Sequence, residues 1–139
     1  MKTKIVTALM ASMVMATIVM SAGCKNDSPE VVYDSGTKLL WQDNNDTKSI
    51  KKDWQGATDY CKNLSIDKHN DWRLPSKEEL LDLYTKKAIL KNVSSDGYWS
   101  STTDESLKDF AWYVVFGNGY FNVASKNADS YVRCVRAGQ

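Results

Sequence analysis

The first 23 residues of this 139-residue chain differ in composition from everything that follows, and they decide how much chain is left to fold. They contain all five methionines, two lysines, and no acidic, aromatic or proline residue. The remaining 116 residues contain all fifteen aromatic residues, and their net charge is −1. A segment of that length forms one compact domain that hides about two thirds of its unfolded surface. Because it is nearly neutral, we expect no nucleic-acid partner.

An apolar run precedes a single cysteine near the N-terminus. Lys2 and Lys4 come first, residues 5–20 are apolar except for three hydroxyl residues, and small residues then lead to Cys24. This order is typical of a secretory signal peptide. The run is shorter than the roughly 20 residues that a membrane-spanning helix needs, which makes a plain transmembrane anchor the weaker alternative. We therefore predict that residues 1–23 form a signal peptide.

The sequence Ser21-Ala22-Gly23-Cys24 resembles the bacterial lipobox, after which cleavage leaves a diacylglyceryl-modified cysteine as the first residue. Ser21 departs from the motif, which usually has leucine there. Each buried methylene of an acyl chain contributes about 0.8 kcal/mol to membrane binding. We predict Cys24 as the lipid attachment site, residues 24–30 as a polar tether, and the membrane as a partner. Lys25, in place of an aspartate, resembles lipoproteins sent to the outer membrane, facing the periplasm or the cell surface.

Two further cysteines, Cys61 and Cys134, remain as a pair if Cys24 carries lipid. Disulfides persist in exported proteins, so we predict a bridge between them, with two buried free thiols as the alternative. The bridge would close a loop of 73 residues and contribute about 4 kcal/mol on the chain-entropy model. The chain has no Cys-x-x-Cys motif and a single histidine, His69. We therefore expect no metal site and no cofactor.

The segment after the tether reads as a β-hairpin followed by a polar loop. Apolar runs at residues 31–33 and 39–41 flank Asp34-Ser35-Gly36, the pattern of two strands joined by a turn. Residues 43–46 (Asp-Asn-Asn-Asp) could hold calcium through oxygen ligands, but they lack the spacing of an EF-hand. We predict a solvated turn there instead.

Two amphipathic helices follow. Apolar positions 54, 57, 58, 61 and 64 recur at helical spacing after Asp53, a suitable N-cap, and this places Cys61 on the buried face. Ser76 and Glu79 form a capping box directly after Pro75. The apolar face of this second helix is formed by Leu80, Leu81, Leu83 and Tyr84.

Strand patterns fill the last third of the chain. Residues 98–101 are one candidate, residues 110–116 alternate between two faces, and a Gly-Asn-Gly turn precedes a returning strand at residues 120–124. Residues 131–136, which include Cys134, read as the final strand. Two helices followed by a meander of strands indicate an α+β domain at residues 31–139, with the helices packed on a small antiparallel sheet rich in hairpins.

No arrangement of residues in the sequence indicates catalysis. His69 lies in a polar stretch, no serine occupies a Gly-x-Ser-x-Gly motif, and the seven glycines are scattered at turns. We therefore expect that the protein is not an enzyme. The five tryptophans are expected in the core, although Trp99, Trp112 and Tyr113 border a polar loop and could instead stack on a ligand.

Six motifs occur in a fixed order: Leu39-Leu40-Trp41-Gln42, Tyr60-Cys61-Lys62-Asn63-Leu64, Asp71-Trp72-Arg73-Leu74-Pro75, Tyr98-Trp99-Ser100-Ser101-Thr102, Ala111-Trp112-Tyr113-Val114 and Val132-Arg133-Cys134-Val135-Arg136. Over about residues 31–137 the chain resembles the Lcl C-terminal domain family, which is found on bacterial surface and exported proteins. That family is related to the C-type-lectin-like fold. The resemblance implies this fold, with a disulfide from the first helix to the last strand at Cys61 and Cys134.

The resemblance also implies a binding or adhesion module for an unknown protein or glycan ligand. In this fold the long loops between the second helix and the final strands form the ligand face. Here they are residues 102–106 and 125–129, whose small polar side chains suit adaptable hydrogen bonding. We predict Asp104, Tyr113 and Asn127 as ligand-binding candidates, with ordinary solvated loops as the alternative.

Two other functions remain open from the sequence. One is an enzyme or enzyme-accessory domain related to formylglycine-generating, sulfatase-modifying proteins, which use reactive or copper-binding cysteines. The other is a structural subunit of an envelope complex. The state of Cys61 and Cys134 separates the first of these from a binding module, because reactive thiols and a structural bridge exclude each other.

Overall fold

The computed structural model describes residues 29–138. The predicted signal peptide, the lipid attachment site Cys24 and most of the predicted tether therefore lie outside the described residues. The described chain forms two α-helices, two short 3₁₀ helices and two β-sheets, which is the α+β architecture that the sequence predicts. No helix among residues 29–138 is long and apolar enough to cross a membrane.

The N-terminal hairpin belongs to a three-stranded sheet that also holds the C-terminus. Strand β1 (Val31–Asp34) pairs antiparallel with β2 (Leu39–Gln42), as predicted, and β2 pairs antiparallel with the last strand, β8 (Val135–Ala137). The two ends of the described chain thus flank the same central strand, β2.

The second sheet has five strands in the order β3-β7-β4-β5-β6. Their bounds are β3 (Lys51–Lys52), β4 (Gly97–Thr103), β5 (Phe110–Val115), β6 (Phe121–Ser125) and β7 (Ser130–Tyr131). The pairing is antiparallel except between β4 and β7, where Tyr98 and Tyr131 are parallel partners. The predicted turn between β5 and β6 is present, and Gly119 in it has φ +76°, a conformation that favours glycine.

Both helices begin where their capping residues predict. Helix α1 (Trp54–Asn63) starts after Asp53, whose side chain accepts a hydrogen bond from the Gly56 N–H at 2.7 Å. Helix α2 (Lys77–Thr85) starts after Ser76, whose hydroxyl accepts from the Glu79 N–H at 3.1 Å while Glu79 accepts from the Ser76 N–H at 2.8 Å. These bonds satisfy backbone donors that the first helical turn leaves free.

The five-stranded sheet separates two hydrophobic clusters. Neighbouring residues of a strand point to opposite faces, so Tyr98 packs on the α2 side while Trp99 packs on the α1 side. The α2-side cluster contains Trp41, Leu80, Leu83, Leu90, Tyr98, Val114, Phe116 and Val135. The α1-side cluster contains Ala57, Cys61, Trp72, Leu74, Trp99, Ala111, Val132 and Cys134.

The structure joins Cys61 and Cys134, with 2.07 Å between the two sulfur atoms. Both residues are fully buried in the α1-side cluster. The bond therefore connects the end of helix α1 to the segment between β7 and β8, and it leaves neither cysteine as a free thiol.

The prediction of one final strand over residues 131–136 is wrong. Strand β7 ends at Tyr131 in the five-stranded sheet, and β8 begins at Val135 in the three-stranded sheet. Between them the chain turns its polar groups inward. The buried Arg133 guanidinium donates to the Gln42 carbonyl at 2.5 Å and also to the Asn92 carbonyl, and the Cys134 N–H donates to Gln42 Oε1 at 3.1 Å. The Gln42 N–H still donates to the Cys134 carbonyl at 2.9 Å, so the pairing with β2 extends to Cys134, whereas Arg133 bonds through its side chain.

The prediction of a solvated turn at residues 43–46 is also wrong at its first residue. The side chain of Asp43 is 3% exposed. Its carboxylate accepts hydrogen bonds from the N–H groups of Lys91 and Asn92 at 2.8 and 2.9 Å. The chain then continues into a short 3₁₀ helix, Asn45–Lys48. The two bonds satisfy the buried carboxylate of Asp43, and through them Asp43 holds the segment after α2 against the end of β2.

Candidate functional site

A polar groove lies between the first turn of α2 and the loop that joins β4 to β5. Its volume is about 360 Å³, and we call it the α2–β4 groove. It is lined by Lys77, Glu78, Thr102, Thr103, Asp104, Glu105, Ser106 and Trp112. The Lys77 N–H donates to Thr102 Oγ1 at 3.0 Å, which fixes the start of α2 to β4. Helix α2 and strand β4 therefore form two connected walls of the groove, and the polar loop between β4 and β5 forms its rim.

Trp112 supplies the aromatic surface of the α2–β4 groove. Its ring is half-buried and lies 6.0 Å, between centroids, from the ring of Phe121, which is 44% exposed. The Lys77 ammonium lies 4.3 Å from the centroid of the Trp112 ring, at cation–π distance. The same ammonium lies 3.7 Å from Glu78 Oε1. This arrangement combines a flat apolar face, a cation and several carboxylates within one small site.

Asp104 shapes the rim of the groove. Its Oδ1 atom accepts hydrogen bonds from the Ser106 N–H at 3.0 Å and the Leu107 N–H at 2.7 Å. Its own N–H donates to the Phe110 carbonyl at 2.9 Å, where the loop closes. The predicted ligand candidate Asp104 therefore lines the groove, and its carboxylate also holds the conformation of residues 104–107.

The structure brings the two predicted ligand loops to the same end of the sheet. The Lys126 N–H donates to the Asp109 carbonyl at 2.8 Å, and this bond joins the β6–β7 loop to the β4–β5 loop. Asn127, the predicted candidate in the second loop, is exposed, and its N–H donates to Ser125 Oγ at 3.3 Å. Asn127 is not among the residues that line the groove.

Tyr113, the third candidate, lies on the opposite face of β5 from Trp112 and packs against the α1-side cluster. A Cβ atom added to Gly97 would lie 2.8 Å from Cδ2 of the Tyr113 ring, so the ring covers this glycine closely. The structure does not bring Tyr113 together with Asp104. The aromatic residue that shares a site with Asp104 is Trp112.

Trp54 occupies a comparable position on the α1 side. Its indole N–H donates to the Ser100 carbonyl at 2.9 Å, and the Lys126 ammonium lies 4.1 Å from its ring centroid. Its ring borders a second cavity of about 250 Å³, lined also by Thr58, Lys62, Arg73, Leu74 and Ser101. We call this cavity the Trp54 cavity. It is more apolar at its base than the α2–β4 groove, since Leu74 and the indole form its walls.

The core prediction is right for three tryptophans and incomplete for two. Trp41, Trp72 and Trp99 are buried in the interior, whereas Trp54 and Trp112 are half-buried beneath lysines. The partial exposure of Trp54 could have been expected from the sequence, because Trp54 is the first residue of helix α1 and one side of it faces the open N-terminal end of that helix. For Trp112 the signal is its position beside the polar loop at residues 102–109, because its strand pattern alone is the same as that of the buried Val114.

A hydrogen-bonded tyrosine connects α1 to the polar loop after β2. Tyr60 donates its hydroxyl proton to Asp46 Oδ2 at 2.7 Å and accepts from Gln42 Nε2 at 3.0 Å. Burial, together with the bond to the Asp46 carboxylate, raises the pKa of Tyr60. Because the phenol stays protonated, it serves as a stable donor between α1 and the loop and is a poor candidate for a base.

Two carboxylates, Asp71 in the segment before α2 and Glu79 in the first turn of α2, are paired with arginines. Arg73 donates to both oxygens of Glu79 at 2.7 and 2.8 Å. Burial raises the pKa of Glu79, but the bonds from Arg73 and from the Ser76 N–H outweigh burial and hold this pKa below its usual value. Arg136 likewise lowers the pKa of Asp71 through its hydrogen bonds. Both pairs are ionised structural contacts.

Among residues 29–138, no three or more His, Cys, Asp or Glu side chains come close enough together to hold a metal ion. His69 lies in a short turn, where its carbonyl accepts from the indole N–H of Trp72 at 3.1 Å. This bond between Trp72 and His69 helps to hold the loop before α2 in place, so the observed contact of His69 is a structural one.

Comparison with known proteins identifies one family. The model of the Lcl C-terminal domain matches residues 30–136, which include strands β1 to β7, the first two residues of β8, both α-helices and the disulfide. A comparison with curated proteins finds no match. The family match covers more than half of the chain, and the chain belongs to the Lcl C-terminal domain family.

Proposed function

We propose that this protein is an exported, lipid-anchored module of the bacterial envelope that binds a protein or glycan ligand. The observation that carries this proposal is the α2–β4 groove, in which Trp112 and Lys77 face a loop of small polar residues. Its volume of about 360 Å³ is within the usual range of ligand sites, roughly 300–1,000 Å³.

The chemistry of the groove suits recognition. An indole face stacks on apolar faces of a ligand, including those of sugar rings, and its rigidity keeps the entropy cost of binding low. The hydroxyl groups of Thr102, Thr103 and Ser106 offer donors and acceptors beside it. The Asp104 bonds to the backbone of residues 106 and 107 hold this rim in place before a ligand arrives. Such preorganisation favours binding.

The anchor part of the proposal rests on residues outside the described structure. The apolar run at residues 5–20 and the cysteine after three small residues support export and lipidation at Cys24. A tether of residues 24–30, fully extended, would reach about 25 Å. The domain would therefore stay close to the bilayer, on the outer membrane, facing the periplasm or the surface.

The disulfide favours binding over the alternative of an enzyme related to formylglycine-generating proteins. That chemistry needs reactive cysteines, whereas Cys61 and Cys134 are bonded to each other and fully buried. A disulfide between the first helix and the end of the chain, with helices on a hairpin-rich sheet, also supports a C-type-lectin-like shape. The remaining alternative, a structural subunit of an envelope complex, would need no groove.

A glycan and matrix-protein array tests the binding proposal. The wild-type protein is applied beside Trp112→Ala, with Tyr33→Ala as the matched control because Tyr33 is 50% exposed on the other sheet. We expect a ligand that binds the wild type and Tyr33→Ala, and at least about tenfold weaker binding by Trp112→Ala. Equal binding by Trp112→Ala would place the site elsewhere, and an array without any ligand would contradict the proposal.

Fractionation of cells tests the anchor separately. We expect Cys24→Ser to be exported without acylation and to leave the membrane fraction. Retention of this variant in the membrane as firmly as the wild type would show that the apolar run is an uncleaved anchor.

A further inference from the structure

The described chain begins beside the segment that follows helix α2. The Glu30 carbonyl accepts a hydrogen bond from the Asp43 N–H at 2.7 Å. The Asp43 carboxylate in turn accepts from the N–H groups of Lys91 and Asn92 at 2.8 and 2.9 Å. Asp43 therefore links the point where the predicted tether enters the domain to the segment after α2.

This segment presents apolar side chains and lysines to solvent. Its exposed residues, which we call the entry face, are Lys87, Ala88, Ile89, Lys91 and Val93. Ile89 and Val93 are large apolar side chains in contact with water. Part of the face also borders a hollow of about 520 Å³ beside the buried ring of Phe116. The entry face thus offers an apolar surface where the chain enters the domain.

The entry face also carries positive charge. Residues 86–95 contain three lysines and no acidic residue. Lys86 is paired with two aspartates, whereas the Lys87 ammonium donates to a neutral backbone carbonyl at 3.0 Å. Lys87 and Lys91 therefore supply two cations, with Glu30 as an exposed acid at the margin of the face. Cations beside apolar side chains suit the surface of a bilayer that contains anionic lipids.

The entry face and the α2–β4 groove lie at opposite ends of the two elements that connect them. Helix α2 has the groove residues Lys77 and Glu78 in its first turn, and Lys87 follows its last turn. Strand β4 begins at Gly97, soon after the entry face, and ends at Thr103, which lines the groove. A strand of that length spans about 20 Å. The groove and the entry face are therefore separated by roughly the length of β4.

We propose that the entry face rests on the surface of an anionic phospholipid bilayer and directs the α2–β4 groove away from it. This inference rests on the proposed lipid anchor at Cys24. The chain from Cys24 to Pro29 reaches at most about 18 Å, so the anchor keeps the entry face near the bilayer. A tether this short gives an effective concentration on the order of millimolar, at which a weak contact is occupied. Ile89 and Val93 lie among the headgroups, and the lysines face the lipid phosphates.

Fluorescence quenching on the full acylated chain in vesicles tests this orientation. The vesicles contain phosphatidylethanolamine and phosphatidylglycerol, and a nitroxide on some acyl chains quenches a fluorophore at short range. The fluorophore is attached at Ile89→Cys, where the native side chain is 39% exposed. The matched control is Leu107→Cys, whose native side chain is 51% exposed in the loop at the groove end. We expect quenching at least about threefold stronger at position 89 than at position 107.

Charge reversal tests the contact with the headgroups. Lys91→Glu should lower the quenching at position 89 at least about twofold. Lys108→Glu, at an exposed lysine in the loop at the groove end, should leave it unchanged. Equal quenching at the two labelled positions, or quenching that Lys91→Glu does not change, would overturn the inference while the anchor stands.

Two further outcomes identify other failures. A blue shift of the label at position 89 that rises with protein density, without quenching, would show a second copy on the entry face and would overturn the inference. A wild-type protein that does not sediment with the vesicles would contradict the lipid anchor itself, and the inference would fall with it.

Discussion

The guanidinium of Arg133 lies 3.4 Å from the carboxylate of Asp43, and both side chains are buried, with exposed fractions of 0% and 3%. This pair lies where the three-stranded sheet meets the segment after α2. Asp43 accepts from the N–H groups of Lys91 and Asn92, while Arg133 donates to the carbonyls of Gln42 and Asn92. Two charges thus hold three separate parts of the chain together.

Removing the buried cation should be costly. Arg133→Met leaves the Asp43 carboxylate buried without its ion partner, and truncating one side of such a pair costs about 3–5 kcal/mol. We therefore expect the free energy of unfolding to fall by that amount in urea titrations. Arg136→Met is the matched control, because Arg136 pairs with Asp71, whose side chain is 60% exposed. Its loss should be about 1 kcal/mol or less, and equal losses in both variants would contradict the role assigned to burial.

Removing the disulfide should destabilise the domain by a comparable amount. The bond closes a loop of 73 residues, for which the chain-entropy model gives about 4 kcal/mol. We expect the double variant Cys61→Ala/Cys134→Ala to unfold at lower urea concentration and to be insensitive to a reductant, whereas the wild type should lose stability when reduced. Two alkylatable thiols in the unreduced wild type would show that the cysteines are free.

Stability should fall in acid, and Glu79 should contribute to the fall. Its pKa in the folded protein lies below its usual value because of Arg73. A lowered folded pKa adds stability above the unfolded pKa of about 4.3, and this contribution is lost as the pH falls through the folded pKa. We expect Glu79→Gln to be less stable than the wild type near neutral pH and to show a shallower acid dependence of the urea midpoint.

The neighbouring Glu78→Gln is the control for this pH experiment. The Glu78 side chain is 71% exposed and lies 3.7 Å from Lys77, so its exposed pair should contribute at most about 1 kcal/mol. An acid dependence that flattens as much in Glu78→Gln as in Glu79→Gln would argue against the Arg73 pair as the cause.

Tyr113 and Gly97 should be energetically coupled. A methyl group added at Gly97 would lie 2.8 Å from Tyr113 Cδ2, and such overpacking costs about 1–3 kcal/mol. We expect Gly97→Ala to lower the free energy of unfolding by that amount in the wild type and by clearly less in Tyr113→Ala. A double-mutant cycle measures the difference, and additive losses would show that the ring moves aside freely.

The local parts of the fold are predictable from short stretches of sequence. Asp53 and the Ser76–Glu79 capping box predict the helix starts, because the bonds they make span three residues. The hairpin of β1 and β2 and the glycine turn before β6 follow from the same kind of short-range chemistry. Cys61 is placed on a buried face by helical spacing alone, which fits its bond to Cys134.

The parts that could not be predicted depend on contacts between distant residues. Arg133 reads as an outward position in a strand, and only its bonds to Gln42 and Asn92 explain why the strand breaks there. The burial of Asp43 has the same origin. In the candidate site, the sequence correctly places Asp104 in a loop beside the groove, but it groups Asp104 with Tyr113 and not with Trp112. Strand alternation shows that Trp112 and Tyr113 lie on opposite faces of β5. It does not show that the face with Trp112 is the one that α2 covers incompletely.

The disulfide also determines how the domain would respond to mechanical force. If the chain is held at its N-terminus and pulled at the α2–β4 groove, the tension enters through β1 and reaches Cys61 along the chain. There it divides between two covalent arms, one running forward through α2 and the other crossing the sulfur bridge to Cys134. A closed ring lengthens only as far as its shorter arm allows. Tension can therefore peel the hairpin from its sheet, while the ring that contains the groove remains limited in extension.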